Sequence, residues 1–366
     1  FTPDDWDVPQ TVTVTAVDDA EVELSHTGLV SHAAASADPD YDGIAVADVV
    51  ADITDNDIPV VLVSEVQGAG ASSPLDGEIV TIEAVVVGDF QDGDADGSRN
   101  LSGFYVQEED ADTDDDPLTS EGLFVFDDGF GVDVTPGDVV RITGTVDEFF
   151  GETQLDTISA VEVVGTSALP GAAEIDLPAA AATTSQDGDF QPDLEPYEGM
   201  LVRFPETLTI TEQFQLDRFN EIKLVAGERP YQFTQTNLPS VPGYAAFLEE
   251  LGARTITYDD GLNVQNAPIS DLDGFGPVYG TATAPRMGDT IEGLSGVLSY
   301  QWAGNSASGA TWRVRATEDG ENAFESANPR EPEPEDTGGR LTVASFNVLN
   351  FFTTLDTNPG SFNGPN

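Results

Sequence analysis

Gly137-Asp-Val-Val-Arg-Ile-Thr-Gly-Thr-Val146 returns as Gly288-Asp-Thr-Ile-Glu-Gly-Leu-Ser-Gly-Val297. Two more segments recur in the same order. Asp76-Gly-Glu-Ile-Val-Thr-Ile82 is matched by Glu198-Gly-Met-Leu-Val-Arg-Phe204, and Asp127-Asp-Gly129 by Asp259-Asp-Gly261. Recurrence in this order implies an internal duplication. Around the first copy, strands are predicted at Val60–Val66, Glu78–Val87, Gly103–Gln107, Gly122–Phe126, Asp138–Val146 and Thr157–Val164, with turn residues between them. Short strands at regular intervals make a small closed all-β domain, and a five-stranded Greek-key barrel is the economical arrangement. The second copy carries a longer insertion around Tyr231–Gly252, in which Ala245–Gly252 is predicted as a short helix stopped by its glycine.

The bulk composition excludes several chemistries. The chain has 366 residues and no cysteine, so disulfide scaffolds, zinc–thiolate sites and cysteine nucleophiles are ruled out. It holds 12 basic and 68 acidic residues, a net charge of −56. Displacing counterions from nucleic acid needs Lys and Arg, and Lys223 is the single lysine. Phosphate chemistry would have to borrow positive charge from metal ions. A carboxylate-coated surface suits a secreted protein of salty water, where salt screens the repulsion. Hydrophobic residues at 39% can fill several small cores. No stretch approaches the roughly 20 apolar residues of a membrane span.

Outside the duplicated region the sequence is modular. Residues 10–17 alternate in period two and predict a half-buried strand, and Gly43–Ile53 predicts another. Residues 168–195, rich in Ala and Pro, predict a linker. Residues 327–340, rich in Pro and Glu, predict a second linker. Leu341–Leu349 then predicts a strongly apolar strand. The sequence opens on Phe1 with no signal peptide in view, so a longer parent protein is expected.

Two resemblances give these pieces an expected identity. Phe1-Thr-Pro-Asp-Asp-Trp6, Val8-Pro-Gln-Thr-Val-Thr-Val14, Tyr41-Asp-Gly-Ile44 and Ile53-Thr-Asp-Asn-Asp57 resemble the later part of a Calx-β-like repeat. Val343-Ala-Ser-Phe-Asn-Val-Leu-Asn-Phe-Phe352 resembles the first strand of the endonuclease/exonuclease/phosphatase superfamily, the deoxyribonuclease-I-like fold. That strand behind barrel-like domains and a Pro-rich linker is similar to large secreted bacterial nucleases. Phe104-Tyr-Val-Gln-Glu-Glu-Asp110, Ser120-Glu-Gly-Leu-Phe-Val-Phe126, Phe149-Phe-Gly-Glu-Thr-Gln-Leu155, Tyr197-Glu-Gly-Met200 and Tyr258-Asp-Asp-Gly261 add to the likeness.

The fold expected is therefore mainly β. A partial sandwich (1–58) precedes a first barrel of the oligonucleotide/oligosaccharide-binding type (59–167), a linker (168–195), a second such barrel (196–326) and a linker (327–340). The start of an α/β nuclease domain (341–366) closes the series. The resemblance implies an extracellular, secreted or cell-surface enzyme that hydrolyses phosphodiester bonds of DNA with a divalent metal, Mg²⁺ or Mn²⁺. It assigns one catalytic residue here, Asn347, which would help hold the scissile phosphate and the metal-bound water. On residue chemistry alone, a plain strand-end turn is the favoured reading of Asn347, and only the resemblance shifts the weight to catalysis. The superfamily's histidine and aspartates lie downstream of the first strand, and His26 and His32 are the only histidines. The fragment by itself is expected to be inert.

Three further groups of residues offer chemistry. Asp92-Gly-Asp-Ala-Asp-Gly97 sets Asp92, Asp94 and Asp96 at alternate positions before a glycine, like the start of a Ca²⁺ loop. Ser98 and Asn100 could extend it, but Gly103 stands where the closing glutamate belongs, so loosely held Ca²⁺ and a plain solvated loop both remain. Glu108, Glu109, Asp110, Asp112, Asp114, Asp115 and Asp116 form a second acidic cluster with the same two readings. Phe104, Tyr105, Phe149, Phe150, Tyr300 and Trp302 could stack bases on the barrels. Arg141, Arg313 and Arg315 are too few for the basic groove that accompanies stacking. The competing function is a Ca²⁺-binding surface-adhesion or binding module of a large repeat protein.

Overall fold

The computed structural model describes residues 8–9, 11–17, 26–53, 60–91, 101–114, 116–262, 265–266, 285–303, 309–317, 322–329, 331–333, 336, 338–341 and 343–345. The chain divides into two compact units, Phe1–Asn328 and Pro329–Asn366. It is mainly β, as expected. No helix among the described residues is long and apolar enough to cross a membrane.

The N-terminal segment forms less sheet than its alternation suggests. β1 (His26–Val30) and β2 (Val49–Ile53) pair antiparallel, with His26 opposite Ile53. Residues 11–17, predicted as a strand, are exposed and carry no strand. Period-two alternation marks a strand only where a second strand supplies the ladder. The strand predicted from Gly43 shrinks to Val49–Ile53, because Asp38–Gly43 is a turn in which Tyr41 N donates to Asp38 O.

Residues 60–67 overturn a second prediction. A strand was expected over Val60–Val66; only a bridge from Val60 to Thr81 remains of it, and α1 (Val63–Gln67) follows. Short apolar runs do not separate helix from strand by periodicity. Here the long-range contacts decide. Val63 and Val66, three residues apart on one helix face, plug the end of the first barrel, and Val63 N donates to Glu108 Oε1 at 2.7 Å. Each buried valine contributes about 2 kcal/mol.

The first barrel comprises β3 (Ile79–Phe90), β4 (Gly103–Gln107), β5 (Gly122–Phe126), β6 (Asp138–Phe149) and β7 (Glu152–Thr166). It closes in the order β3-β4-β5-β7-β6, with β5 parallel to β7 and β6 back against β3. Ile82, Ala84, Val86, Phe104, Val106, Leu123, Val125, Val140, Ile142 and Leu155 fill it.

The Ala- and Pro-rich stretch 168–195 is not a free linker. It builds β8 (Ala173–Glu174) and the ribbon of β9 (Ala182–Thr184) and β10 (Phe190–Pro192). Its Ile175, Leu177 and Leu194 enter the core of the second barrel. Small residues and prolines gave the segment a linker's composition, while three spaced apolar side chains fixed it to the fold.

The second barrel repeats the first. β11 (Leu201–Glu212) is followed by α2 (Leu216–Phe219), β12 (Ile222–Ala226), α3 (Phe233–Thr236), α4 (Val241–Ala253), β13 (Thr255–Asp259), β14 (Thr290–Gln301) and β15 (Thr311–Arg315). β11 pairs with β12, β12 with β13, β13 with β15 in parallel, β15 with β14, and β14 with β11. That ring has the order of the first barrel, and β8 adds a sixth strand beside β11. α4 is longer than predicted: Ser240 caps its start by accepting from Gly243 N, and it runs one residue past Gly252.

In the second unit, residues 341 and 343–345 are exposed and form no strand. The remainder of the predicted strand 341–349, residues 342 and 346–349, lies outside the described residues.

Candidate functional site

Strand alternation gives each barrel a second, outward row of side chains. In β4 and β5, Phe104, Val106, Leu123 and Val125 point inward, so Tyr105 and Phe124 point outward. Both are nonetheless buried, because they pack with Val87, Phe90, Leu201 and Val297 in a core shared by the two barrels. The Tyr105 and Phe124 rings lie 4.7 Å apart. Backbone meets backbone where Gly122 faces Gly199, and a Cβ on Gly199 would sit 2.6 Å from Leu123 N. Leu201 N donates to Gln107 Oε1 at 2.9 Å, and Gln67 Nε2 to Gly122 O at 2.7 Å. Barrels of this type present their second and third strands to ligands. Here the second barrel covers that face of the first.

A polar seam runs beside the apolar one. Glu152, at 0% exposure, accepts from Tyr105 Oη at 3.1 Å, Ser299 Oγ at 3.0 Å and Tyr300 N at 3.3 Å. Its Oε2 has no hydrogen-bond partner. Glu198, also buried, accepts from Thr153 N at 2.8 Å. Burial, reinforced by the Glu152 charge, pushes the Glu198 carboxyl well above its usual range. Burial likewise raises Glu152, against the opposing pull of Arg315. Unpaired buried carboxylates relieve their desolvation by taking a proton.

Of the three arginines that were too few for a basic groove, two are internal ties. Arg313 is fully buried, with Nη1 at 2.6 Å from Asp259 Oδ2 and 3.3 Å from Glu221 Oε2. Arg315 is 2% exposed; its Nε lies 3.5 Å from Asp259 Oδ1, and its Nη2 donates to Trp302 O. Arg141 pairs on the surface with Glu83 at 2.7 Å. The repeated Asp-Asp-Gly motifs build the same turn in each barrel. Asp127 Oδ1 accepts from Gly129 N at 3.0 Å, and Asp259 Oδ1 from Gly261 N at 2.8 Å. Both glycines are left-handed, with φ of +75° and +78°, which an L side chain tolerates poorly. Beside that turn Asp260 is raised to about 8, by burial first and then by Asp259.

Where the two barrels part, they leave a cavity of about 370 Å³. Tyr105, Phe124, Phe126 and Phe149 line it from the first barrel, with Asp147, Gln154 and Asp156; Gln301, Trp302 and Arg315 line it from the second. Small-molecule sites share this make-up of aromatic walls and a few convergent polar groups. Phe149, Phe150 and Trp302 cluster together, with Trp302 centroids 5.3 Å from Phe149 and 4.4 Å from Phe150.

The structure sorts the predicted site residues. Asn347, Asp92, Asp94 and Asp96 lie outside the described residues. Of the six candidate stacking aromatics, Phe104 is core, Tyr105 is sealed between barrels, and Tyr300 packs on Trp312 at 4.8 Å. Phe149, Phe150 and Trp302 come together across the barrels. In the second acidic cluster, Glu108 holds α1, and burial raises its carboxyl to about 7. Asp114 accepts from Asp116 N at 2.8 Å and Thr119 Oγ1 at 3.1 Å, and the Asp116 N–H lowers its carboxyl. Those two residues organise the chain locally. Among the described residues, no group of three or more carboxylates or imidazoles is set to hold a metal ion. His26 and His32 are exposed. Glu152, Glu198, Asp147 and Gln154 were missed in sequence. The one signal is at Asp147, a polar residue two positions from the outward-facing Phe149 on β6.

Comparison with protein-family models, with curated proteins and with solved structures returned no match.

Proposed function

We propose that residues 59–326 are the non-catalytic, twin-barrel arm of an extracellular, metal-dependent nuclease whose catalytic domain begins near Leu341. The observation that carries this reading is the presence, in one chain, of two barrels of like strand order followed by the run Leu341–Phe352. The sealed join favours a positioning role for the barrels over a direct grip on DNA, because Arg313 and Arg315 are buried and ion-paired with Asp259 within the second barrel and leave no basic surface there. In this reading Asn347 donates its side-chain amide to a phosphate oxygen of DNA. A divalent cation, Mg²⁺ or Mn²⁺, supplies Lewis-acid polarisation of that phosphate, and Ca²⁺ is assigned to Asp92, Asp94 and Asp96. The reading requires the water-activating His–Asp pair to lie outside these 366 residues, since His26 and His32 are on or beside β1.

The test uses the full-length parent protein. It should clear DNA only with a divalent metal, and Asn347→Ala should lower turnover by about 100-fold, the order expected for losing one donor to a developing anion. Unchanged turnover in that variant overturns the site assignment. Metal-independent cleavage, or none, overturns the function; Ca²⁺-dependent surface binding without cleavage would favour an adhesion module.

A further inference from the structure

The cavity between the barrels has walls of opposite hydrogen-bonding character. In the first barrel Asp147 stands opposite Gln154, and Thr145 opposite Asp156. Because Val146 and Leu155 point into the core, Asp147, Phe149, Gln154 and Asp156 share the outer face. Phe124, opposite Gln154 on β5, continues that face. Asp147 accepts from Gln154 Nε2 at 3.3 Å. Neither Asp147 nor Asp156 has a Lys or Arg ion-pair partner among the described residues. A carboxylate only accepts hydrogen bonds.

The facing wall is Arg315, with Gln301 and Trp302. Arg315 only donates, and its Nε has no hydrogen-bond acceptor although Asp259 lies 3.5 Å away. An ammonium ligand would suit the two aspartates but meet a buried guanidinium. A phosphate or carboxylate would suit Arg315 but meet two carboxylates in a chain of charge −56. A hydroxyl group donates and accepts, so a neutral polyol satisfies both walls. Phe149 and Trp302, at 60° to one another, and Phe126 offer flat apolar faces to the C–H side of a ring. A volume near 370 Å³ has the size of a short ligand.

We propose that this inter-barrel cavity is a binding site for a neutral mono- or disaccharide, held between the Asp147/Asp156 wall and Arg315 and stacked on Phe149 and Trp302. The proposal is independent of the nuclease reading, which is tested by DNA cleavage and not by sugar binding.

The experiment titrates the intact chain with maltose, cellobiose and N,N′-diacetylchitobiose, following tryptophan emission, with Trp302→Phe to assign the signal. Choline, thymidine and glucose 6-phosphate serve as cationic, nucleoside and anionic probes. At least one neutral sugar should saturate, with a dissociation constant of about 1 mM. Phe149→Ala and Asp156→Ala should each weaken it about tenfold or more, while Phe233→Ala, on α3 of the insertion, should not. Gln154→Ala, on the same outer face, serves if either variant fails to fold. No saturation by any neutral sugar up to about 100 mM overturns the proposal. So does tighter binding of choline, thymidine or glucose 6-phosphate, or unchanged sugar affinity in the cavity variants.

Discussion

Glu108 shows how a residue that looks like one more surface acid can govern stability. It accepts from Val63 N at the start of α1, and burial raises its carboxyl from 4.5 to about 7. The folded chain therefore holds this proton more tightly than the unfolded chain does. The stability it contributes is fullest below pH 4.5 and is lost as the pH climbs towards about 7. Glu108→Gln keeps an acceptor for Val63 N without the charge. Denaturant titrations should find the variant equal to the parent near pH 4.5 and more stable by about 1–2 kcal/mol at pH 8, allowing for solvent screening. Equal stability at both values would show that Glu108 remains ionised in the fold. The acidic run was legible in sequence, but its division of labour was not. Composition does not say that Glu108 lies under a helix while Asp114 ties its own loop.

At the scale of the element, the join rests on close approach at Gly122 of β5 and Gly199 before β11. A methyl group at Gly122 would collide with the backbone of Gly199 and Met200. Gly122→Ala should destabilise the chain by about 1–3 kcal/mol through overpacking. In calorimetry it should split one unfolding transition into two as the barrels uncouple. A single transition at the parental temperature would mean that the join absorbs the methyl. The strands around this point were readable, since β4 and β5 fall where turn residues and alternation put them. The helix α1 was not, because Val63 and Val66 suit either period until Glu108, 45 positions beyond Val63, supplies the cap. Residues 168–195 escaped for a related reason: Ile175, Leu177 and Leu194 declare themselves only against the core they enter.

At the scale of the whole molecule, charge and duplication dominate. With 68 acidic and 12 basic residues, mutual repulsion favours the expanded chain, and salt screens it. Raising KCl from about 0.1 to 2 M should lift the midpoint of thermal unfolding by about 5 °C or more. A flat or falling midpoint would show that the carboxylates lie too far apart for their repulsion to matter. Mainly β architecture was legible because the repeated Gly-Asp and Asp-Asp-Gly segments mark matching strand ends. The cleft was not, because Phe124 and Asp147 are separated from Trp302 and Arg315 by more than a hundred residues. Alternation says which side chains leave a barrel, and it is silent on what meets them.

The covered face of β4 and β5 has a further consequence for how the gene can be divided. A chain halted after residue 167 would leave Tyr105, Phe124 and Val87 as an oily wall turned to water. Each copy hides the other's apolar flank, so the smallest piece that can be cut out without wetting that flank is the pair.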